Sequence, residues 1–170
     1  MTSARLVTRF AKPEDHSVLA ELLLTANRHY WGEWDGAEAM TAAAAEAMVT
    51  GRSGCTAFIA WLDGEPCAFA TVAILHPALN EHGTLFMKDL FVAEGARGTG
   101  IGTQIMQHLA KQAVELGCER FDWTAETDNP QALAFYDQMG AERIDEKIYF
   151  RFSGETLTGF AASGAKGDDR

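Results

Sequence analysis

The chain has 170 residues, enough for one domain with a sizeable core. Its 14 basic and 24 acidic residues give a formal net charge of −10, which argues against a general nucleic-acid binder, since that needs a basic face. Hydrophobic residues make up 47%, yet no unbroken apolar run approaches a membrane span, and no charged region followed by an apolar core reads as a secretory leader.

Cys55, Cys67 and Cys118 are odd in number, widely spaced and set in apolar surroundings. They read as reduced, mostly buried thiols, and without a C-x-x-C pair they support no metal site. A cytoplasmic protein without nucleic-acid or membrane partners is the expectation. The acidic balance suits a cationic substrate, although acidity alone also serves solubility.

Leu6, Val7 and Phe10 suggest a short first strand. Pro13, Glu14 and Asp15 fit a helix first turn, and Val18, Leu19, Leu22 and Leu23 supply its apolar stripe to about His29. A loop then gathers aromatics and carboxylates: Tyr30, Trp31, Glu33, Trp34 and Asp35. Such a mixture holds an ammonium ion by cation–π contact and ion pairing, and it equally fits a surface loop that caps the core. Ala37 to Val49 is alanine-rich and helical by propensity.

Residues 55–61 read as a strand, Asp63-Gly64 as a hairpin turn, and residues 66–75 as the return strand. His76-Pro77 breaks it, and a polar loop runs to Gly83. A long strand, Thr84 to Val92, leads to a glycine-rich turn, and a helix follows with Ile101, Ile105, Met106, Leu109 and Ala113 on one stripe, ending near Gly117. Residues 120–125 form another strand. Pro130 opens a short helix that Gly140 stops, and Ala141 to Asp145 and Lys147 to Phe152 look like two final strands. The boundaries expected are one domain over 1–155 and a poorly ordered tail over 156–170.

The turn Arg97-Gly98-Thr99-Gly100-Ile101-Gly102 organises the rest. Glycines that open a helix leave backbone N–H groups unpaired and let a ligand approach closely, and the helix dipole favours an anion there. A phosphate cradle is the physical reading. No Lys follows the glycines, so the Walker spacing fails, and Thr103 and Ile105 stand where a dinucleotide fingerprint needs its third glycine.

Arg97-x-x-Gly100-x-Gly102 resembles the acetyl-CoA loop of the GNAT acetyltransferases, R/Q-x-x-G-x-G/A. Three further patches match in order and spacing: Leu90-Phe91-Val92, Asn129-x-x-Ala132-x-x-Phe135-Tyr136, and Gly140-Ala141. The resemblance covers nearly the whole chain. It implies an α/β (α+β) fold, β-α-α-β-β-β-α-β-α-β-β, with a mixed, mostly antiparallel sheet of about seven strands flanked by helices. It also implies an acetyl-CoA-dependent N-acetyltransferase in which the amine of a small molecule attacks the thioester directly. An amino-acid, antibiotic or protein acetyltransferase is the alternative, as is a CoA-binding sensor without turnover. Many members of the family are homodimers.

By that resemblance, Leu90, Phe91 and Val92 flank the pantetheine arm, with Leu90 and Val92 offering main-chain partners. The amides of Arg97, Gly98, Thr99, Gly100, Ile101 and Gly102 hold the pyrophosphate. Asn129, Ala132, Phe135 and Tyr136 complete the cofactor side, and Tyr136 donates a proton to the departing thiolate. Candidates for the base are Asp89, Glu126 and Glu33. The nearest subgroup in pattern is the spermidine/spermine- and thialysine-type enzymes, which approach the loop as E-D-L/F-F/Y-V. Here that glutamate is Lys88, which counts against a polyamine acceptor; Lys88 either faces solvent or binds an acidic group on the substrate.

Overall fold

A computed structural model of the chain describes residues 5–76 and 82–163. The chain forms two compact units, Met1–Asn129 and Pro130–Arg170.

The first unit is built on a five-stranded sheet in sequence order. Strand β1 (Leu6–Phe10) pairs with β2 (Thr56–Leu62), β2 with β3 (Glu65–Leu75) and β3 with β4 (Thr84–Val92), all antiparallel. Strand β5 (Arg120–Trp123) joins β4 in parallel. Asp63 and Gly64 sit at φ 52° and 91°, the left-handed pair that a two-residue hairpin needs.

Two helices lie on one sheet face. A 3-10 turn at Pro13–Asp15 leads into α1 (His16–Trp31), and α2 (Ala37–Val49) follows. Leu19, Leu22 and Ala26 from α1 and Ala45 from α2 are buried with Ala57, Ile59, Phe69 and Phe91 of the sheet. The opposite face takes α3 (Ile101–Glu115), whose Ile101, Ile105, Met106, Leu109 and Ala113 are buried. His108 on α3 bonds Thr8 at 2.8 Å and lies 6.1 Å from the Phe58 ring, on the face that alternation assigns to Phe58. Gly117, at φ 75°, closes α3 in a Schellman motif: its amide bonds the Val114 carbonyl at 3.0 Å and the Cys118 amide bonds the Ala113 carbonyl at 2.8 Å.

One buried charge anchors the start of α1. The Asp15 carboxylate is 6% exposed and accepts bonds from Arg9 Nη1 and Nη2 at 2.5 and 2.9 Å and from the Lys12 amide at 2.7 Å. Arg9 also lies 4.5 Å over the Trp61 ring. The Arg9 hydrogen bond, aided by the Lys12 amide, holds the Asp15 carboxyl below the usual carboxylate range. A depressed folded pKa gives stability that is present above the unfolded value of about 3.9 and lost as pH falls through the folded one. Asp15→Asn is expected to lower stability by about 2 kcal/mol at pH 7, less than for a wholly buried pair. Arg9 keeps 37% of its side chain in water, which sets that discount. Urea melts at pH 7 and pH 2.5 check this, with the difference from wild type shrinking at the lower pH.

The second unit holds α4 (Pro130–Gln138) and α5 (Gly154–Ser163). The two strands expected at 141–145 and 147–152 do not form, so the sheet has five strands rather than about seven. A short segment becomes a strand only where a neighbouring ladder takes its amides. Here local ties hold the segment instead. Arg143 forks onto both oxygens of Asp137 at 2.9 and 2.5 Å, and the Lys147 amide bonds the Ile144 carbonyl at 3.4 Å. Of the expected tail, residues 156–163 belong to α5 and 164–170 lie outside the described residues. Phe152 and Phe160 stack with centroids 4.6 Å apart.

Candidate functional site

The glycine turn has the geometry of an anion cradle. Gly98 and Gly100 sit at φ 74° and 82°, a region that glycine enters without strain. The first helical bond of α3 is donated by Gln104 to the Gly100 carbonyl at 3.1 Å. Among the described residues, the amides of Gly98, Thr99, Gly100, Ile101, Gly102 and Thr103 make no bond to the protein. The Arg97 amide is already engaged, on the Glu94 carbonyl at 3.2 Å. A Cβ on Gly98 or Gly100 would meet nothing within 4 Å, so the space over these amides is open to a ligand.

The Arg97 side chain locks the turn to the strand before it. Its Nε donates to the Val92 carbonyl at 2.9 Å, its Nη2 lies 3.2 Å from His29 Nε2, and its guanidinium stands 5.9 Å from the Phe91 ring. Thr99 Oγ1 donates to the Ala96 carbonyl at 2.6 Å. The turn is therefore held by side chains, while its amides stay unused.

Beside the turn, β4 loses its outer neighbour. Its parallel pairing with β5 covers Thr84 to Met87 and stops there, because Trp123 is the last residue of β5. The Ala93 amide bonds the Cys67 carbonyl at 2.8 Å, so Ala93 faces β3. Strand alternation then turns Phe91 and Asp89 toward β3, and aims the amides and carbonyls of Val92 and Leu90 into the space that β5 leaves. The Phe91 side chain belongs to the core with α1 and its backbone faces β3, so the exposed backbone groups here are those of Leu90 and Val92. Backbone groups aimed this way are the kind that an extended chain pairs with as an added strand.

A cluster of aromatic side chains forms where α1 meets β4. The helix runs on through His29, Tyr30 and Trp31, which sequence patterns assign to a loop. His29 and Tyr30 pack 6.0 and 6.3 Å from Phe91, and Trp31 stands 5.8 Å from Tyr30 and is 73% exposed. Trp34 is fixed differently: its indole N–H donates to the buried Asn27 at 2.7 Å. A groove of about 530 Å³ opens beside it, lined by Arg28, Glu33, Trp34, Asp35 and Glu38, with three carboxylates against one guanidinium. Arg28 reaches Glu33 and Glu38 at 3.6 and 3.7 Å. Of the expected substrate residues, Glu33 and Trp34 line this groove, whereas Tyr30 and Trp31 lie toward Phe91.

Asp89 is two residues before Phe91 on the same face of β4, about 7 Å along the strand. One of its oxygens accepts the Thr71 hydroxyl at 2.5 Å, and the other lies 3.7 Å from Lys88 Nζ. Glu126 stands beyond the end of β5 in a turn that its carbonyl closes with the Asn129 amide at 3.1 Å, and its side chain is exposed. No contact joins it to Asp89 among the described residues. In the second unit, Ala132, Phe135 and Tyr136 share one face of α4 by their i, i+3, i+4 spacing, and the Phe135 and Tyr136 rings are 5.1 Å apart.

Sequence patterns do not single out His29 and Thr71 as site residues. Each acts through a partner far along the chain, Arg97 and Asp89, which no local pattern announces.

Residues 18–141 match the model of the acetyltransferase (GNAT) family. The chain is 34% identical over 82 residues to an L-ornithine N5-acetyltransferase of Arabidopsis thaliana, covering 48% of this chain and 36% of that one. It is 33% identical over 76 residues to a thialysine N-epsilon-acetyltransferase of Mus musculus, covering 43% and 45%. The matches thus span less than half the length of these curated relatives. An integron cassette protein from the mobile metagenome of V. cholerae superposes with a TM-score of 0.84 at 37% identity, over 92% of this chain and 97% of that one.

Proposed function

Because the chain belongs to the acetyltransferase (GNAT) family, we propose that it moves an acetyl group from acetyl-CoA to a primary amine of a small molecule. The observation that carries this is the conjunction of six unused amides on the glycine turn with the strand edge of β4 that β5 leaves uncovered. Amides 98–103 suit the pyrophosphate, and Leu90 with Val92 suits the pantetheine arm. Bound acetyl-CoA would supply the activated acyl thioester. The family match runs across the boundary between the two units, which supports treating residues 1–155 as one acetyltransferase domain.

Within this reading, Asp89 takes the proton of the incoming ammonium. Its fixed oxygen on Thr71 sets the carboxylate's orientation, and its place one residue before Leu90 sets it at the open edge. Glu126 and Glu33 are secondary candidates for the base, acting through water. The amine nitrogen then forms its bond to the acetyl carbon, and the Leu90–Val92 backbone offers a donor to the carbonyl oxygen. As the carbon–sulfur bond breaks, Tyr136 gives its phenolic proton to the leaving thiolate, a role supported by the motif that carries it. A homodimer and a cytoplasmic location belong to the reading on the same family resemblance.

The relatives are named for ornithine and for thialysine, each an amino acid with a second amine, and this favours an amino-acid acceptor. Purified protein with acetyl-CoA and a panel of amines is expected to release CoA thiol in proportion to added acceptor. Release that never depends on an amine would sink the enzyme reading and leave a CoA-binding sensor. Light scattering on the same sample reports its oligomeric state.

A further inference from the structure

The register of β4 contains one extra residue. Thr71 pairs with Asp89 but Val72 pairs with Met87, so Lys88 is unopposed in a β-bulge. A bulge turns two successive side chains toward one face, where regular alternation would separate them. The contact between Lys88 Nζ and Asp89 Oδ1 at 3.7 Å fits that arrangement. Asp89 shares its face with Phe91, and Phe91 meets His29 and Tyr30 at the end of α1. Lys88 therefore stands on the acceptor side of the sheet, beside the proposed base and at the start of the uncovered edge.

The pair is half-committed. Thr71 holds one oxygen of Asp89, which fixes the carboxylate, while Lys88 is 67% exposed and has Asp89 alone as an ion partner among the described residues. At 3.7 Å that is an ion pair and not a tight hydrogen bond. The ammonium keeps donors for a carboxylate on a ligand, and its positive charge disfavours an acceptor whose second cation has no carboxylate beside it.

We propose that Lys88 is the specificity-determining residue for the acceptor: it holds a carboxylate on the amine substrate, so the acceptor is an amino acid and not a diamine or polyamine. The inference rests on the acetyltransferase reading above. Asp89 meets the amine, Lys88 meets the carboxylate, and the bulge is what sets the two side by side.

Matched acceptors isolate the carboxylate. Ornithine and 1,4-diaminobutane differ only in that group, as do lysine and 1,5-diaminopentane. Wild type is expected to favour the amino acid of each pair in kcat/KM by about tenfold or more, the value of one charge-assisted bond. Lys88→Met should erase most of that preference through KM, with kcat and the KM for acetyl-CoA close to wild type. Lys88→Arg should keep the preference, and Lys88→Glu should reverse it toward the diamines. A preference ratio unchanged in Lys88→Met, or no preference in wild type, overturns the assignment while leaving the acetyltransferase reading intact. No transfer to any amine overturns both.

Discussion

Tyr136→Phe is expected to lower kcat by at least about 100-fold, the lower range for loss of a general acid. The substitution removes one oxygen and leaves the ring, so packing within α4 and the Phe135 contact at 5.1 Å persist. What is lost is the only atom of the side chain able to donate a proton. Acetyl-CoA should still bind, because the amides proposed to hold its phosphates lie at the turn before α3 and need no phenol. Steady-state kinetics with a calorimetric titration of acetyl-CoA separates the two. Full turnover in the variant would remove the proton-donor role, and loss of cofactor binding would make Tyr136 a cofactor contact and nothing more.

The second large effect belongs to Gly100. It sits at φ 82° as the cap of α3, where an L side chain costs about 1–2 kcal/mol. An added methyl touches nothing in the free protein, so no clash adds to that cost. It intrudes instead on the space over the unused amides. Gly100→Ala is expected to raise the KM for acetyl-CoA by about tenfold or more, as charge-assisted bonds to the turn are lost, with the KM for the amine little changed. Gly95→Ala is the control, since Gly95 lies before the turn, keeps an ordinary φ and has equal room for a methyl. If the acetyl-CoA KM of Gly100→Ala matched that of the control, the turn would not be the cradle.

How much the sequence disclosed depended on how local the cause was. The helix at Ala37–Val49 lies between Gly36 and Gly51, both at positive φ, and its alanines need no distant partner to be helical. The Asp63-Gly64 turn and the glycine turn were legible for the same reason, because their backbone angles are set by the residues themselves. Ile148, Phe150 and Phe152 have a strand's spacing and no ladder, and residues 141–147 lack even the alternation, since β-structure depends on what lies alongside. The site shows the same division. Gly98 and Gly100 could be read directly, whereas the Thr71 bond to Asp89 and the His29 bond to Arg97 join residues 18 and 68 positions apart. The bulge left one trace, two consecutive polar residues at Lys88 and Asp89 in an otherwise apolar strand.

That bulge also bears on how such a protein diversifies. Residues before it are tied to β5 and to the core by Leu85 and Met87; residues after it are tied to β3 and present the edge that a cofactor would use. Position 88 alone on this stretch answers to neither ladder nor core. Under the proposed assignment of Lys88, a lineage can exchange charge there without disturbing the fold, and pass from one class of amine to another by a single codon change.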